Sequence, residues 1–172
     1  MPAQLTPSFV NACRPPPAQE ARKLAEKPVE NIEVVPSSEN TQEWIAHIVG
    51  PATYVPPGAT EARPSPYAGR KFAVKVTFPA TYPFKHPELR FRESVMWHPL
   101  VNFEEGTLCV NNIAAFWGPT KMAADLLKHL RDNLAAPTAE DAINAECMSQ
   151  LRESVEAFEK KAAQMAAKEP LA

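Results

Sequence analysis

Glycine is scarce in this chain, with five in 172 residues against nineteen prolines. That balance excludes long flexible linkers and predicts stiff, extended connections. Cysteines number three, Cys13, Cys109 and Cys147, far apart and with no C-x-x-C. An odd, scattered set argues against a disulfide framework or a structural zinc site and fits a reducing compartment. No apolar stretch approaches the roughly 18 residues a membrane span needs. Basic runs are also missing and the formal net charge is −2, so neither nucleic acid nor an anionic membrane is expected as the main partner. The N-terminus lacks the basic start and apolar core of a secretory signal, while a transit peptide stays open. The expected location is intracellular and cytoplasmic, with an organelle or assembly-bound site left open.

What is present suits one domain with a sizeable core. Residues 1–17 hold five prolines, ending in Pro15-Pro16-Pro17. They read as a polyproline arm that cannot be helical. Residues 18–27 read as a short helix with a thin apolar face, closed by Pro28. Strand signals follow at Ile32, Val34 and Val35, then at Trp44, Ile45, Ile48 and Val49, ended by Gly50-Pro51. Residues 51–66 hold five prolines and read as a surface-loop insertion with little that can pack. Phe72, Val74, Val76 and Phe78 alternate with Lys71, Ala73, Lys75 and Thr77, the pattern of a half-buried strand. Leu89 and Phe91 mark a fourth. Tight turns between them predict a four-stranded antiparallel meander.

The period then changes. Ala123, Leu126, Leu127, Leu130 and Leu134 fall at helical spacing over 120–134. Thr138 with Asp141 resembles a capping-box start for another helix. Cys147, Leu151, Val155, Phe158, Ala162 and Met165 predict one long amphipathic helix, fraying into a tail at 168–172. Helix, then strands, then helices is an α+β order, with the core domain at 18–167.

The densest stretch is W-H-P-L-V-N-F-E-E-G-T-L-C-V-N-N-I-A-A-F-W-G-P, residues 97–119. Cys109 lies three residues after Gly106 and eleven after His98, and Trp117-Gly118-Pro119 follows it. Upstream stand Tyr67-Ala68-Gly69 and Phe78-Pro79-Ala80-Thr81-Tyr82-Pro83-Phe84, with Pro87 beyond. These motifs, in this order, resemble the ubiquitin-conjugating (E2) enzymes over about residues 18–165. The resemblance implies that family's fold: an N-terminal helix, a four-stranded antiparallel meander and C-terminal helices. It also implies that Cys109 carries ubiquitin or a ubiquitin-like modifier as a thioester. A free thiol is a few per cent thiolate at neutral pH, and Cys109 reads as an exposed loop position. The alternative is a small buried hydrophobe.

By the same resemblance His98, Pro99 and Leu100, with Tyr82 and Trp117, form the scaffold of the active-site loop. Leu100 departs from the pattern, because the family reads His-Pro-Asn there and uses that asparagine to support the loop and the oxyanion formed under lysine attack. Leucine has no donor, and Asn102 is the candidate substitute. Asp141, with Glu140 beside it, matches the family's acidic gate for the incoming lysine. Asp141 also reads as a helix N-terminal acid favoured by the macrodipole. Asn111 stands where many relatives carry an acid, and His86 where they carry proline. Phe84, Lys85, Pro119 and Thr120 match the ligase-docking loops. Arg22 and Lys23 give the first helix only weak basic character for an activating enzyme.

Two functions stay open at the level of sequence. One is a conjugating enzyme that takes the modifier from an activating enzyme (E1) and passes it to a ligase (E3) cysteine or a substrate lysine. It needs no cofactor or metal of its own, ATP being used upstream. The other is an impaired E2-like fold serving as an interaction subunit beside neighbouring subunits of a larger assembly. Leu100, the thin helix and the proline-rich segments favour the second, and the intact cysteine segment with Asp141 favours the first.

Overall fold

The computed structural model describes residues 16–172. All but the last two residues of the expected arm, and Cys13, lie outside the described residues. Pro16 and Pro17 instead open helix α1, Pro17–Glu26. Proline fits there because the first helical N–H groups have no intrahelical partner and its φ is already helical. The strands are β1 Ile32–Pro36, β2 Glu43–Val49, β3 Thr53–Tyr54, β4 Arg63–Pro64, β5 Lys71–Thr77 and β6 Glu88–Phe91. The remaining helices are α2 Val110–Phe116, α3 Ala123–Ala135, α4 Ala145–Glu153 and α5 Val155–Ala166.

β1, β2, β5 and β6 pair antiparallel in that order, which is the expected meander. Trp44, Ala46 and Ile48 of β2 and Phe72, Val74 and Val76 of β5 are all fully buried. They share one face because alternate residues of a strand point the same way. The same core takes in Leu126, Leu127, Leu130 and Leu134 of α3.

Four further expectations about the fold need correction. The insertion at 51–66 does pack. β3 and β4 form a two-stranded ribbon, and Val55 N–H donates to the Ala135 carbonyl at 2.8 Å. Tyr54 is 1% exposed and donates its hydroxyl to Glu159 Oε1 at 2.9 Å. Arg63 clasps the same carboxylate with Nε at 2.7 Å and Nη2 at 3.0 Å. The Arg63 hydrogen bonds hold Glu159 below the usual carboxylate range, while burial pushes the Tyr54 hydroxyl up. One aromatic among five prolines was too sparse a pattern to read as packing.

The long C-terminal helix is two helices. At Ser154 the backbone turns extended (φ −152, ψ 102), and its hydroxyl accepts the Ala157 N–H at 3.2 Å, capping α5. A serine that hydrogen-bonds the backbone locally competes with helix continuation. Thr138 and Asp141 do not cap a helix. α4 starts later, at Ala145, capped by Asn144.

The tail at 168–172 is anchored rather than frayed. Lys71 N–H donates to the Pro170 carbonyl at 2.9 Å, and Ala172 N–H to Gly69 at 3.0 Å. Glu169 is 3% exposed with Arg92 Nε 3.1 Å away. Backbone pairing of this kind leaves no hydrophobic period in the sequence.

Candidate active site

The site is built on a hairpin-like loop from His98 to Cys109. Val101 and Leu108 form a β-bridge, Asn102 N–H donates to Thr107 O, and Gly106 N–H to Asn102 O, both at 2.8 Å. Gly106 has φ +73, and a Cβ there would lie 2.1 Å from the Phe91 carbonyl oxygen. That oxygen belongs to β6 backbone, which cannot step aside. Gly106→Ala is therefore expected to cost at least about 3 kcal/mol, read as a lowered urea midpoint with an unchanged slope.

His98 holds the loop from beneath. It is buried, and Nδ1 accepts the Leu100 N–H at 3.0 Å. A neutral ring accepting at Nδ1 carries its proton on Nε2. That atom lies near the Asn133 backbone carbonyl, short of full hydrogen-bond geometry. Burial pushes His98 down to about 3. The unfolded chain takes this proton near 6.5, so the folded state binds fewer protons below that pH. The stabilising contribution is complete above about 6.5 and is lost as pH falls toward 3, at up to about 1.4 kcal/mol per pH unit. Denaturation midpoints should fall between pH 6.5 and 4.5, and less steeply in His98→Asn, whose amide can still accept the Leu100 N–H.

Other scaffold residues converge on the loop. Tyr67, fully buried, donates its hydroxyl to the Trp97 carbonyl at 2.7 Å. The Tyr82–Pro83 peptide bond is cis, and Trp117 Nε1 donates to the Pro83 carbonyl at 2.9 Å. Rings run from Trp44 to Phe78 (4.6 Å between centroids), Tyr82 (4.8 Å) and Trp117 (5.9 Å), tying sheet to site.

Cys109 corrects the sequence reading most. It is not an exposed loop residue but 6% exposed, at the N-cap of α2. Its N–H donates to the Leu100 carbonyl at 3.1 Å. Leu100 thus serves the site through its backbone while its side chain, 5% exposed, packs in the core. Val110–Phe116 is too short to leave a periodic signal in the sequence. Asn102 folds its Oδ1 back onto the N–H groups of Glu104 (3.1 Å) and Glu105 (3.2 Å). Pro99 O accepts from Ile143 N–H (2.9 Å) and Asn144 N–H (3.0 Å), fastening the segment that carries Asp141 to the His98–Cys109 loop.

Asp141 is half-buried and accepts from Asn112 Nδ2 at 2.8 Å and Thr138 Oγ1 at 3.2 Å. Asn112 Oδ1 accepts from His129 Nε2 and Asn133 Nδ2, each at 3.0 Å. His129 stacks on Phe116 (4.0 Å, 7°), and partial burial, opposed by Asp132 and Asp141, holds its pKa below the usual histidine range. Sequence reasoning missed Asn112, His129 and Asn133. The one available signal was His129 and Asn133 at i and i+4 beside the leucine face of α3. Phe84, Lys85, Pro119 and Thr120 are exposed, Phe84 at 59%. Arg22 and Lys23 are exposed on α1. Cys147 is fully buried, and burial pushes its thiol well up. Among the described residues, no cluster of metal-ligating side chains occurs and no helix is long and apolar enough to cross a membrane.

The four-stranded antiparallel sheet with its helices has the fold of solved ubiquitin-conjugating enzymes. A structure described as a ubiquitin-conjugating enzyme from Plasmodium yoelii superposes with TM-score 0.75 at 24% identity, covering 90% of this chain and 93% of that one. The E2 domain of a Toxoplasma gondii ubiquitin-conjugating enzyme gives 0.72 at 22% identity, covering 88% and 97%. Residues 17–166 match the family model "Ubiquitin-conjugating enzyme", and the chain belongs to that family. It is 28% identical over 127 residues to ubiquitin-conjugating enzyme E2 27 of Arabidopsis thaliana, covering 74% of this chain and 60% of that protein's length. Ubiquitin conjugating enzyme E2 B of Dictyostelium discoideum is 28% identical over 124 residues, covering 72% and 75%.

Proposed function

We propose that the chain carries ubiquitin or a ubiquitin-like modifier as a thioester on Cys109, received from an activating enzyme and passed to a ligase cysteine or an acceptor lysine. One observation carries this reading: the segment bearing Asp141 is fastened at Pro99 O and at Asn112, on both sides of Cys109. A carboxylate held there suits an incoming amine, which it can orient and help deprotonate. Phe84, Lys85, Pro119 and Thr120 form the proposed ligase contact: Trp117 Nε1 on the Pro83 carbonyl ties their two loops together, and Phe84 is an exposed aromatic next to a rigid proline, Pro83. With Leu100 in the core, Asn102 Nδ2 is proposed as a partial substitute donor to the oxyanion, and Asn102→Ala then slows the residual lysine discharge further.

Burial of the Cys109 thiol and the absence of a donor at Leu100 favour a second reading, an interaction subunit without transfer. Incubation with activating enzyme, ATP and modifier, followed by a non-reducing gel, separates the two. The first expects a thiol-sensitive adduct that Cys109→Ala abolishes. The second expects none with any modifier, and purification as a stoichiometric member of a complex.

A further inference from the structure

Asn112 is three residues past Cys109, one turn into α2, and every polar atom of its amide is engaged. Its Nδ2 donates to Asp141 Oδ2 at 2.8 Å. Its Oδ1 accepts from His129 Nε2 and from Asn133 Nδ2, each at 3.0 Å. The orientation is fixed by chemistry. A flipped amide would set its NH2 against the Asn133 NH2 and its oxygen against the Asp141 carboxylate. His129 must then carry its proton on Nε2. The clamp extends one turn along α2, where Phe116 stacks on His129 at 4.0 Å and Lys121 Nζ stands 4.4 Å over the Phe116 ring.

These contacts join three parts of the chain: the helix begun by Cys109, the face of α3 beside its leucines, and the segment 138–144. That segment has its other anchor at the Pro99 carbonyl. We propose that Asn112 is a positioning residue that fixes the Asp141 carboxylate relative to Cys109, so that an amine attacking the thioester meets the acid in one place. The proposal rests on the functional reading above and adds to it the residue that sets the geometry. It explains why a polar side chain with three partners occupies the inner side of so short a helix.

Asn112→Leu removes the donor and the acceptor at similar volume. Asn112→Asp keeps an acceptor toward His129 and Asn133 but sets a second carboxylate against Asp141, and serves if the leucine variant folds poorly. In the uncharged protein, backbone amides in 138–144 should exchange about tenfold faster in either variant, the loss of one charge-assisted hydrogen bond. In single-turnover assays the thioester should still form. Discharge to free lysine should fall about tenfold, chiefly as a higher lysine concentration at half-maximal rate, with discharge to a small thiol retained. In an Asp141→Asn background, Asn112→Leu should add nothing. Unchanged exchange in 138–144, or equal losses toward lysine and thiol, overturns the proposal. A wild-type chain that takes no modifier overturns the functional reading instead, and the exchange measurement then decides the Asn112–Asp141 anchor by itself.

Discussion

A modifier loaded on Cys109 is expected to pass to a small thiol readily and to free lysine slowly, with lysine discharge depressed by about 10²–10³. The reason lies at Leu100. Its carbonyl holds the Cys109 N–H, but its side chain is buried in the core and carries no hydrogen-bond donor. Amine attack builds an oxyanion while the nitrogen still holds its extra proton, so it leans on a donor and on an acid or base nearby. A thiolate arrives already deprotonated and expels a leaving group like itself, and it depends less on both. The measurement is a single-turnover chase of purified thioester with lysine or with a thiol, each at matched concentration of its deprotonated form. Equal rates would show that the missing donor is fully replaced.

Glu20→Ala is expected to cost about 3–4 kcal/mol, a large share of a typical domain's 5–15 kcal/mol. Glu20 is 2% exposed on α1. Its carboxyl group accepts a short hydrogen bond from the Tyr82 hydroxyl on one oxygen and the Ala123 N–H, at 3.2 Å, on the other. Ala123 opens α3, and a carboxyl group there also meets the positive end of that helix. The Asp125 side chain accepts the Met122 N–H at 2.9 Å at the same end. One side chain thus joins the first helix, the Tyr82-Pro83 scaffold and the central helix. Alanine takes an acceptor from two buried donors at once, while Glu20→Gln keeps one carbonyl oxygen and should cost less. Urea midpoints of the three proteins, compared at one slope, check the order wild type, Gln, Ala.

Glu20 also shows where the sequence was mute. Residues 18–27 read as a helix with a thin apolar face, and that face is thin because a buried carboxyl group takes part of it. The strands were legible because β5 alternates strictly, with Phe72, Val74 and Val76 in the core. The leucines of α3 likewise announced their helix. Cys109 and Asp141 were singled out by the order of motifs around them. Burial of Cys109 was not legible, since it follows from the seven-residue helix Val110–Phe116, too brief to leave a period. The Asn112 network was hidden for another reason: its partners lie 17 to 29 positions away. Tyr54, Ser154 and the tail at Pro170 act through single hydrogen bonds or backbone pairing, to which hydrophobic patterning is blind.

The most direct test of Cys109 as carrier is intact-mass analysis of the chain after incubation with activating enzyme, ATP and ubiquitin or a ubiquitin-like modifier, followed by peptide mapping. The account predicts one thiol-labile adduct per chain, of the modifier's mass less one water, mapped to Cys109. Cys147, fully buried with its thiol held protonated, should stay unmodified. An adduct on Cys13 or Cys147, or none with any modifier, would contradict it.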